Sequence, residues 1–66
     1  MQITVNGAPH RFENPLCVAD LVERLGMSGK KIAVERNGEI VPKSVHARTP
    51  LAEGDKVEIV VAVGGG

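Results

Sequence analysis

Residues 1–13 read MQITVNGAPHRFE, and this stretch decides the fold because it predicts a β-hairpin at the start of the chain. Its first five residues alternate between apolar and polar, which is the period of a half-buried strand. Asn6-Gly7 follows at once and favours a tight hairpin turn, because both residues tolerate a positive φ. The returning strand, expected to reach about Glu13, contains Pro9, which cannot donate to a sheet. We therefore expect this second strand to lie at an edge or to begin after Pro9.

The next predicted element is an amphipathic helix. It follows Asn14-Pro15, a pair that breaks regular structure. Apolar residues then recur at the spacing of one helix face, namely Val18, Leu21, Val22 and Leu25. Gly26 stands where a left-handed C-terminal cap is expected. This is the one helix that the sequence pattern predicts.

Three further strands are expected after the helix. Short apolar runs at Ile32–Val34 and Ile40–Val41 are separated by Asn37-Gly38, a second turn of the hairpin type. Residues 43–56 carry turn-forming residues with few apolar anchors, and an alternating last strand should run from Lys56 to Val63. The order β-β-α-β-β-β predicts an α+β fold with a mixed sheet of four to five strands and one main helix packed on one face.

The last strand has apolar residues on both of its faces. One face is expected to point toward the helix and carries Val57, Ile59, Val61 and Val63. Val60 and Ala62 lie on the other face, which offers only one polar group, Glu58. These two residues either belong to an exposed apolar patch that binds a partner, or they sit in a central strand whose outer face tolerates aliphatic side chains.

The composition favours a binding or carrier module over an enzyme. The chain has 66 residues, a formal net charge of zero and one aromatic residue, Phe12. A domain of this size has little core to spare and rarely encloses a catalytic pocket. Basic residues form no run and there is no aromatic platform for bases, so we expect no nucleic-acid partner. No apolar stretch has the length of a membrane span, so no membrane association is expected.

The start of the chain and its cysteine content predict a cytoplasmic location. Met1–Val5 has the pattern of a strand and lacks the basic start and apolar run of a signal peptide. Cys17 is the only cysteine and cannot form an internal disulfide, which fits a reducing compartment.

The sequence ends Val63-Gly64-Gly65-Gly66, directly after the last predicted strand. Glycine has no Cβ and loses much entropy when it is ordered, so we expect residues 64–66 to be a flexible tail on a domain of residues 1–63. A glycine backbone can enter a channel too narrow for other residues, and the carboxylate of Gly66 is expected to be free and unhindered. A frayed terminus or an engineered scar would have the same composition.

Four segments in this order resemble the ThiS family, the sulfur carriers of bacterial thiamine biosynthesis, which have the ubiquitin-like β-grasp fold. The segments are MQITVNG at 1–7, VADLVERL at 18–25, AVERNGEIVP at 33–42 and LAEGDKVEIV at 51–60. The expected end at Gly65-Gly66 also matches. The resemblance covers the whole chain, and it rests on the order of the segments because no single one is specific.

The resemblance implies a protein co-substrate, not an enzyme. A ThiF-like adenylating enzyme would activate the Gly66 carboxylate with ATP and magnesium, and a persulfide enzyme would supply the sulfur of a thiocarboxylate. A ThiG-like thiazole synthase would then take the sulfur for the thiazole ring of thiamine. Gly66 is the implied acyl carrier, Gly64 and Gly65 form the approach that enters the partner, and the chain itself binds no cofactor.

Three alternative functions remain open. The small subunit of a molybdopterin synthase also ends in two glycines and would form a stable heterodimer. A β-grasp interaction module would not need a free terminal glycine. A small thiol enzyme would depend on Cys17, which stands where the family usually has Thr or Ser before the helix, so we also expect a weakened helix cap. His10 and His46 lack neighbours at metal-ligand spacing, so no metal site is predicted.

Overall fold

The computed structural model describes residues 1–62. Val63 and the predicted tail, residues 64–66, lie outside the described residues. The elements in chain order are β1 (Gln2–Val5), β2 (Ala8–Arg11), α1 (Val18–Arg24), β3 (Ile32–Arg36), β4 (Glu39–Val41), a 3₁₀ helix η1 (Lys43–Arg48) and β5 (Lys56–Val61). The predicted α+β class, with one main helix and five strands, is confirmed.

The five strands form one mixed sheet in the order β2-β1-β5-β3-β4. The first and last strands, β1 and β5, lie side by side and parallel, while every other neighbouring pair is antiparallel. β2 is an edge strand, as Pro9 predicts, because its missing N–H costs nothing where no further strand pairs.

The core is aliphatic and connects α1 with one face of the sheet. Its fully buried side chains are Ile3, Val18, Leu21, Val34 and Val57. The predicted stripe of α1 is confirmed, because Val22 is also buried and Leu25 packs against the same cluster. Alternation along β1 and β5 therefore sends one row of side chains into the core and leaves the other row on the opposite, outer face.

Both predicted Asn-Gly turns are present. At Asn6-Gly7 the two φ angles are 49° and 83°, and at Asn37-Gly38 they are 51° and 86°. Positive φ at both central positions is the signature of the turn type that matches the twist of a hairpin. The first turn joins β1 to β2 and the second joins β3 to β4.

The two turn asparagines also bind β5 through their side chains. Asn6 Nδ2 donates to the carbonyl oxygen of Ile59 at 3.1 Å, and Asn6 Oδ1 accepts from the Ile59 N–H at 2.7 Å. Asn37 Oδ1 accepts from the Lys56 N–H at 2.9 Å. Each turn therefore helps to position the last strand in addition to reversing its own hairpin.

The C-terminal end of α1 closes as predicted. Gly26 has a φ of +73°. Its N–H donates to the Glu23 carbonyl at 3.0 Å, and the Met27 N–H donates to the Val22 carbonyl at 3.0 Å. These two bonds form a Schellman motif, which satisfies carbonyl groups at the helix end.

Asp20 strengthens the N-terminal end of α1, where Cys17 is the N-cap residue. Asp20 Oδ2 accepts from the Cys17 backbone N–H at 3.2 Å and from the Cys17 thiol at 3.3 Å. The first of these bonds, and then the second, hold the pKa of Asp20 below its ordinary value, with a smaller contribution from Arg24. The carboxylate supplies the acidic half of a capping box, which offsets part of the expected weakness of the thiol cap.

The structure departs from the expected pattern in two places. Residues 43–48 form η1, although the sequence there predicts only turns, and η1 places His46 in a buried position with its Nε2 atom 3.0 Å from the Val41 carbonyl oxygen. Val61, predicted to point toward the helix, is 38% exposed. It shares a face with Val57 and Ile59 but lies at the end of β5, beyond Ile59, the last core residue of that strand.

Asp55 is the charged residue that organises the start of β5, and it is only 6% exposed. Its Oδ2 atom accepts from Arg36 Nε and from the Ala52 N–H, both at 2.8 Å, and its Oδ1 atom accepts from Asn37 Nδ2 at 3.0 Å. Its own carbonyl accepts from the Thr4 N–H at 2.9 Å. The turn at residues 53–54, just before Asp55, is therefore next to a polar junction between β1, β3 and β5.

The hydrogen bonds of Asp55 affect its pKa more strongly than its burial does. Burial alone would raise the pKa of this carboxyl, but the bonds from Asn37, the Ala52 N–H and Arg36 together hold the pKa below its ordinary value. A depressed pKa stabilises the fold above the pKa of the unfolded carboxyl. That stabilisation is lost as the pH falls through the folded pKa.

We expect Asp55→Asn to lower the free energy of unfolding at pH 7 by about 1–3 kcal/mol, because it removes a charged acceptor shared by three donors. Urea unfolding should be measured from pH 7 to pH 2. The difference in the free energy of unfolding between the variant and the native protein should shrink as the pH falls into the acid range. Glu39→Gln, at an exposed carboxylate on β4, is the matched control and should change stability by less than about 0.5 kcal/mol. A gap that stays constant with pH would contradict the assigned role.

We expect Cys17→Ser to raise the free energy of unfolding by about 0.5–1 kcal/mol, because a hydroxyl oxygen accepts the helix N–H groups better than a sulfur atom does. Urea unfolding of the reduced proteins measures this change. Cys17→Ala is the comparison that lacks any acceptor. Equal stability of the Ser and Ala variants would mean that Asp20 alone caps the helix.

Candidate functional site

The end of β5 is the described region that adjoins the predicted carrier residues. The Ala62 N–H donates to the Lys31 carbonyl at 2.8 Å, so the backbone remains attached to the β3 side as far as residue 62. Gly64, Gly65 and Gly66 lie outside the described residues, and their assignment as approach and acyl carrier stays a prediction.

The outer face of the sheet carries the two predicted partner-binding residues of β5. Val60 is 62% exposed, and Ala62 is exposed as well. Val60 lies directly opposite Ala33 of β3 in the antiparallel register, and Ala33 is also exposed. The structure thus places both predicted residues on an open surface at the end of β5, while their part in docking stays a prediction.

The apolar character of this face extends to the far edge of the sheet. Ile40 of β4 is 64% exposed and lies opposite Glu35 of β3. An exposed isoleucine of this kind contributes nothing to the core. We define the outer patch as Ala33, Ile40, Val60 and Ala62, and exposed apolar groups on one face are typical of protein contact surfaces.

Two carboxylates lie among the apolar groups of the outer patch. Glu35 and Glu58 are directly opposite each other on β3 and β5, and like charges in this position repel. The one ion pair in the described part of the chain joins Arg36 to Asp55, so it offers neither glutamate a cation. The patch therefore has two carboxylates among its apolar side chains.

Cys17 makes no hydrogen bond to either histidine of the chain, both of which the structure describes. The thiol is half-buried and hydrogen-bonds to Asp20, while His46 bonds to the Val41 carbonyl. Within residues 1–62 no three His, Cys, Asp or Glu side chains are grouped closely enough to hold a metal ion. The hydrogen bonds of the described residues therefore pair the Cys17 thiol with a carboxylate and with no histidine.

A shallow cavity of about 220 Å³ lies between α1, the loop that follows it and η1. Its lining is mainly apolar and includes Ala19, Val22, Met27, Ile32, Lys43 and His46. The volume is below the range of about 300–1,000 Å³ that is usual for small-molecule sites. Neither helix of residues 1–62 has the length and apolar character needed to cross a membrane.

The residues that sequence reasoning missed are polar. The burial of Asp55 depends on Arg36, which is distant in sequence. The burial of His46 depends on η1, a 3₁₀ helix that shows no apolar periodicity in the sequence. The alternation that places Val60 on the outer face is a local signal, which is why that residue was found from the sequence.

Two thiazole synthases contain sequences similar to the whole of this chain. The protein from Paramagnetospirillum magneticum is 46% identical over 66 residues, and the protein from Magnetococcus marinus is 38% identical over 66 residues. The chain spans 20% of the length of each. The uncharacterised protein ycf40 of Porphyra purpurea is 35% identical, and 93% of its length is covered.

A solved structure shares both the fold and the length. The crystal structure of the thiamine biosynthesis protein ThiS from Geobacter metallireducens superposes with a TM-score of 0.85 at 33% identity, covering 100% of both chains. A solution structure of a thiamine biosynthesis protein from the same organism gives a TM-score of 0.81 at 33% identity, covering 100% of this chain and 88% of the other. The sequence model of the ThiS family matches residues 3–66. With its β-grasp sheet and this match over nearly its full length, the chain belongs to the ThiS family.

Proposed function

We propose that this chain is a sulfur carrier protein of thiamine biosynthesis whose working group is the carboxylate of Gly66. The observation that carries the proposal is the match of residues 3–66 to the ThiS family, together with the likeness to a thiamine biosynthesis protein over both full chains. The chain acts as a protein co-substrate: it presents one reactive carboxylate, and the enzymes that bind it perform the chemistry.

The proposed cycle has two chemical stages. In a ThiF-like enzyme with ATP and magnesium, a Gly66 carboxylate oxygen attacks the α-phosphate, and pyrophosphate leaves. The terminal sulfur of a persulfide then displaces AMP at the carbonyl carbon, and a thiol reductant cleaves the remaining S–S bond to release the thiocarboxylate. Sulfur is a softer and better nucleophile than the oxygen it replaces, so the product can donate sulfur to a thiazole synthase.

The described fold contributes a rigid platform for this chemistry. β5 is paired with β3 from Val57 to Val61 and with β1 at Lys56 and Val57. Asn6 and Asn37 also hold it through their side chains. A partner that binds the sheet therefore also determines the point from which the residues after β5 extend. Gly64 and Gly65 carry no side chains, so they suit a narrow entrance to an active site.

A ThiG-like thiazole synthase is the proposed sulfur acceptor. In two relatives named thiazole synthase, sequence similar to this chain is part of a longer protein. Joining two interacting domains in one chain raises their effective concentration, which favours pairs that work together. The ThiF-like enzyme and the persulfide donor are proposed from the chemistry that the Gly66 carboxylate requires.

The proposed location is the cytoplasm. The cycle consumes ATP and a thiol reductant, and both are supplied there. Cys17 is half-buried and unpaired with another cysteine, which is a state that a reducing compartment preserves.

Intact mass spectrometry before and after incubation with ATP, magnesium, a ThiF-like enzyme and a sulfur donor tests the function. The starting mass must correspond to a free carboxylate at Gly66. We expect a mass gain of one sulfur replacing one oxygen, which fragmentation should locate at Gly66. Deleting Gly66 or adding one residue after it should abolish the gain, because either change removes the reactive carboxylate from its position.

The ThiF-like enzyme used in the assay must be shown in parallel to convert its own carrier protein. A native chain that stays unchanged under those conditions would contradict the carrier function and favour an interaction module. Cys17→Ser should be converted at the native rate; loss of conversion in this variant would favour chemistry at the thiol.

A second prediction concerns the outer patch. Val60→Lys should lower the efficiency of conversion at least about tenfold, because it puts a charge where an apolar contact beside the tail is proposed. Ile40→Lys is the matched control, since Ile40 is equally exposed but lies two strands away on β4. We expect less than about a twofold effect there, and both variants should unfold at nearly the native urea concentration. Equal effects of the two variants would contradict a contact centred on β5.

A further inference from the structure

β5 extends beyond the strand that lies beside it. β1 ends at Val5, and its register with β5 pairs Thr4 with Lys56 and Val5 with Val57. β5 continues to Val61. On its other side β5 remains paired with β3 as far as Val61, which lies opposite Ile32. The end of β5 therefore has a neighbouring strand on one side only.

The hydrogen bonds of β5 show which residues face the open side. The Ala62 N–H bonds to the Lys31 carbonyl and the Lys56 carbonyl accepts from the Asn37 N–H, so even-numbered residues bond toward β3. The Val57 carbonyl accepts from the Asn6 N–H at 2.9 Å, so odd-numbered residues bond toward β1.

The Asn6 side chain completes the pairing of Ile59. Its Oδ1 atom accepts from the Ile59 N–H and its Nδ2 atom donates to the Ile59 carbonyl, at 2.7 Å and 3.1 Å. A side-chain amide has the same donor and acceptor as a peptide group. The Asn6 side chain therefore takes the place of a strand residue beside Ile59, beyond the end of β1.

Val61 is the next odd-numbered residue, and no side chain of residues 1–62 takes the place of a strand there. Its backbone N–H and carbonyl point to the same side as those of Val57 and Ile59, because these directions alternate along a strand. Neither group has a hydrogen-bond partner within residues 1–62. Val61 is also 38% exposed, so an open donor and an open acceptor lie at the surface just before the tail.

We propose that an extended backbone segment of the protein that receives the tail pairs with β5 at Val61, in the space beyond the end of β1. The inference rests on the proposed function and specifies how the partner binds the chain. One donor and one acceptor at strand spacing match the backbone of an extended polypeptide, which is the chemistry of strand addition. The bonded Asn6 amide demonstrates that this side of β5 accepts a peptide-like group at ordinary hydrogen-bond distances.

Pairing at Val61 would direct the tail, residues 64–66, toward the active site of the partner. Gly66 is the fifth residue after Val61, so its carboxylate stays within about 18 Å of Val61 in any conformation. A partner strand bonded to Val61 would fix the direction in which those residues leave the sheet. The partner's active site must then lie within this reach of its own pairing segment.

Val61→Pro tests the inference, because proline removes the N–H that pairs with nothing in the described fold and is tolerated where that group faces outward. Affinity for a ThiF-like enzyme and for a ThiG-like synthase is measured by calorimetry, with urea unfolding as the check on folding. We expect Val61→Pro to bind at least about tenfold more weakly to one or both enzymes. Val61→Ala, which shortens the side chain and keeps the N–H, should stay within about threefold of the native affinity.

Amide hydrogen exchange on the native chain gives a readout that does not depend on proline. The Val61 amide should exchange rapidly in the free protein and slowly in the complex. Native affinity of Val61→Pro for both enzymes, or an unchanged exchange rate at Val61 in both complexes, would overturn the inference while leaving the proposed function intact. Failure of the native chain to bind either enzyme would overturn the proposed function and the inference with it.

Discussion

The insertion of β5 between β1 and β3 is the interaction on which the rest of the structure depends. It joins two hairpins that would otherwise have no sheet in common. Val57 and Ile59 enter the core only because β5 is held in this register. An isolated two-stranded hairpin is marginal in water, so α1 gains a stable surface to cover only when β5 is in place.

Polar side chains determine the register of that strand from both of its neighbours. Asp55 binds Arg36 and Asn37 from the β3–β4 hairpin, while Asn6 from the β1–β2 turn binds Ile59. A strand with apolar residues on both faces has little to distinguish one register from another by burial alone. These few hydrogen bonds specify the register, and they also leave Val60 on the outer face near the end of β5.

Local patterns predict much of this fold, and long-range pairing explains the rest. The alternation of residues 1–5, the Asn-Gly turns and the stripe of α1 each arise from neighbours within a few residues, so the sequence predicts them. The parallel pairing of β1 with β5 and the burial of Asp55 join residues far apart in sequence. At the site, the exposure of Val60 follows from alternation. The open backbone at Val61 does not, because it depends on the difference in length between two strands that meet only in the folded chain.

The central place of a late strand has a consequence for synthesis on the ribosome. β1 is made first, but its parallel neighbour β5 is the last element of the described chain. The nascent polypeptide cannot complete its sheet until residues 56–61 have left the exit tunnel, so the two hairpins must wait for β5 before they share a sheet. A product truncated before β5 lacks the strand that unites the two hairpins, so we expect it to be open to proteolysis.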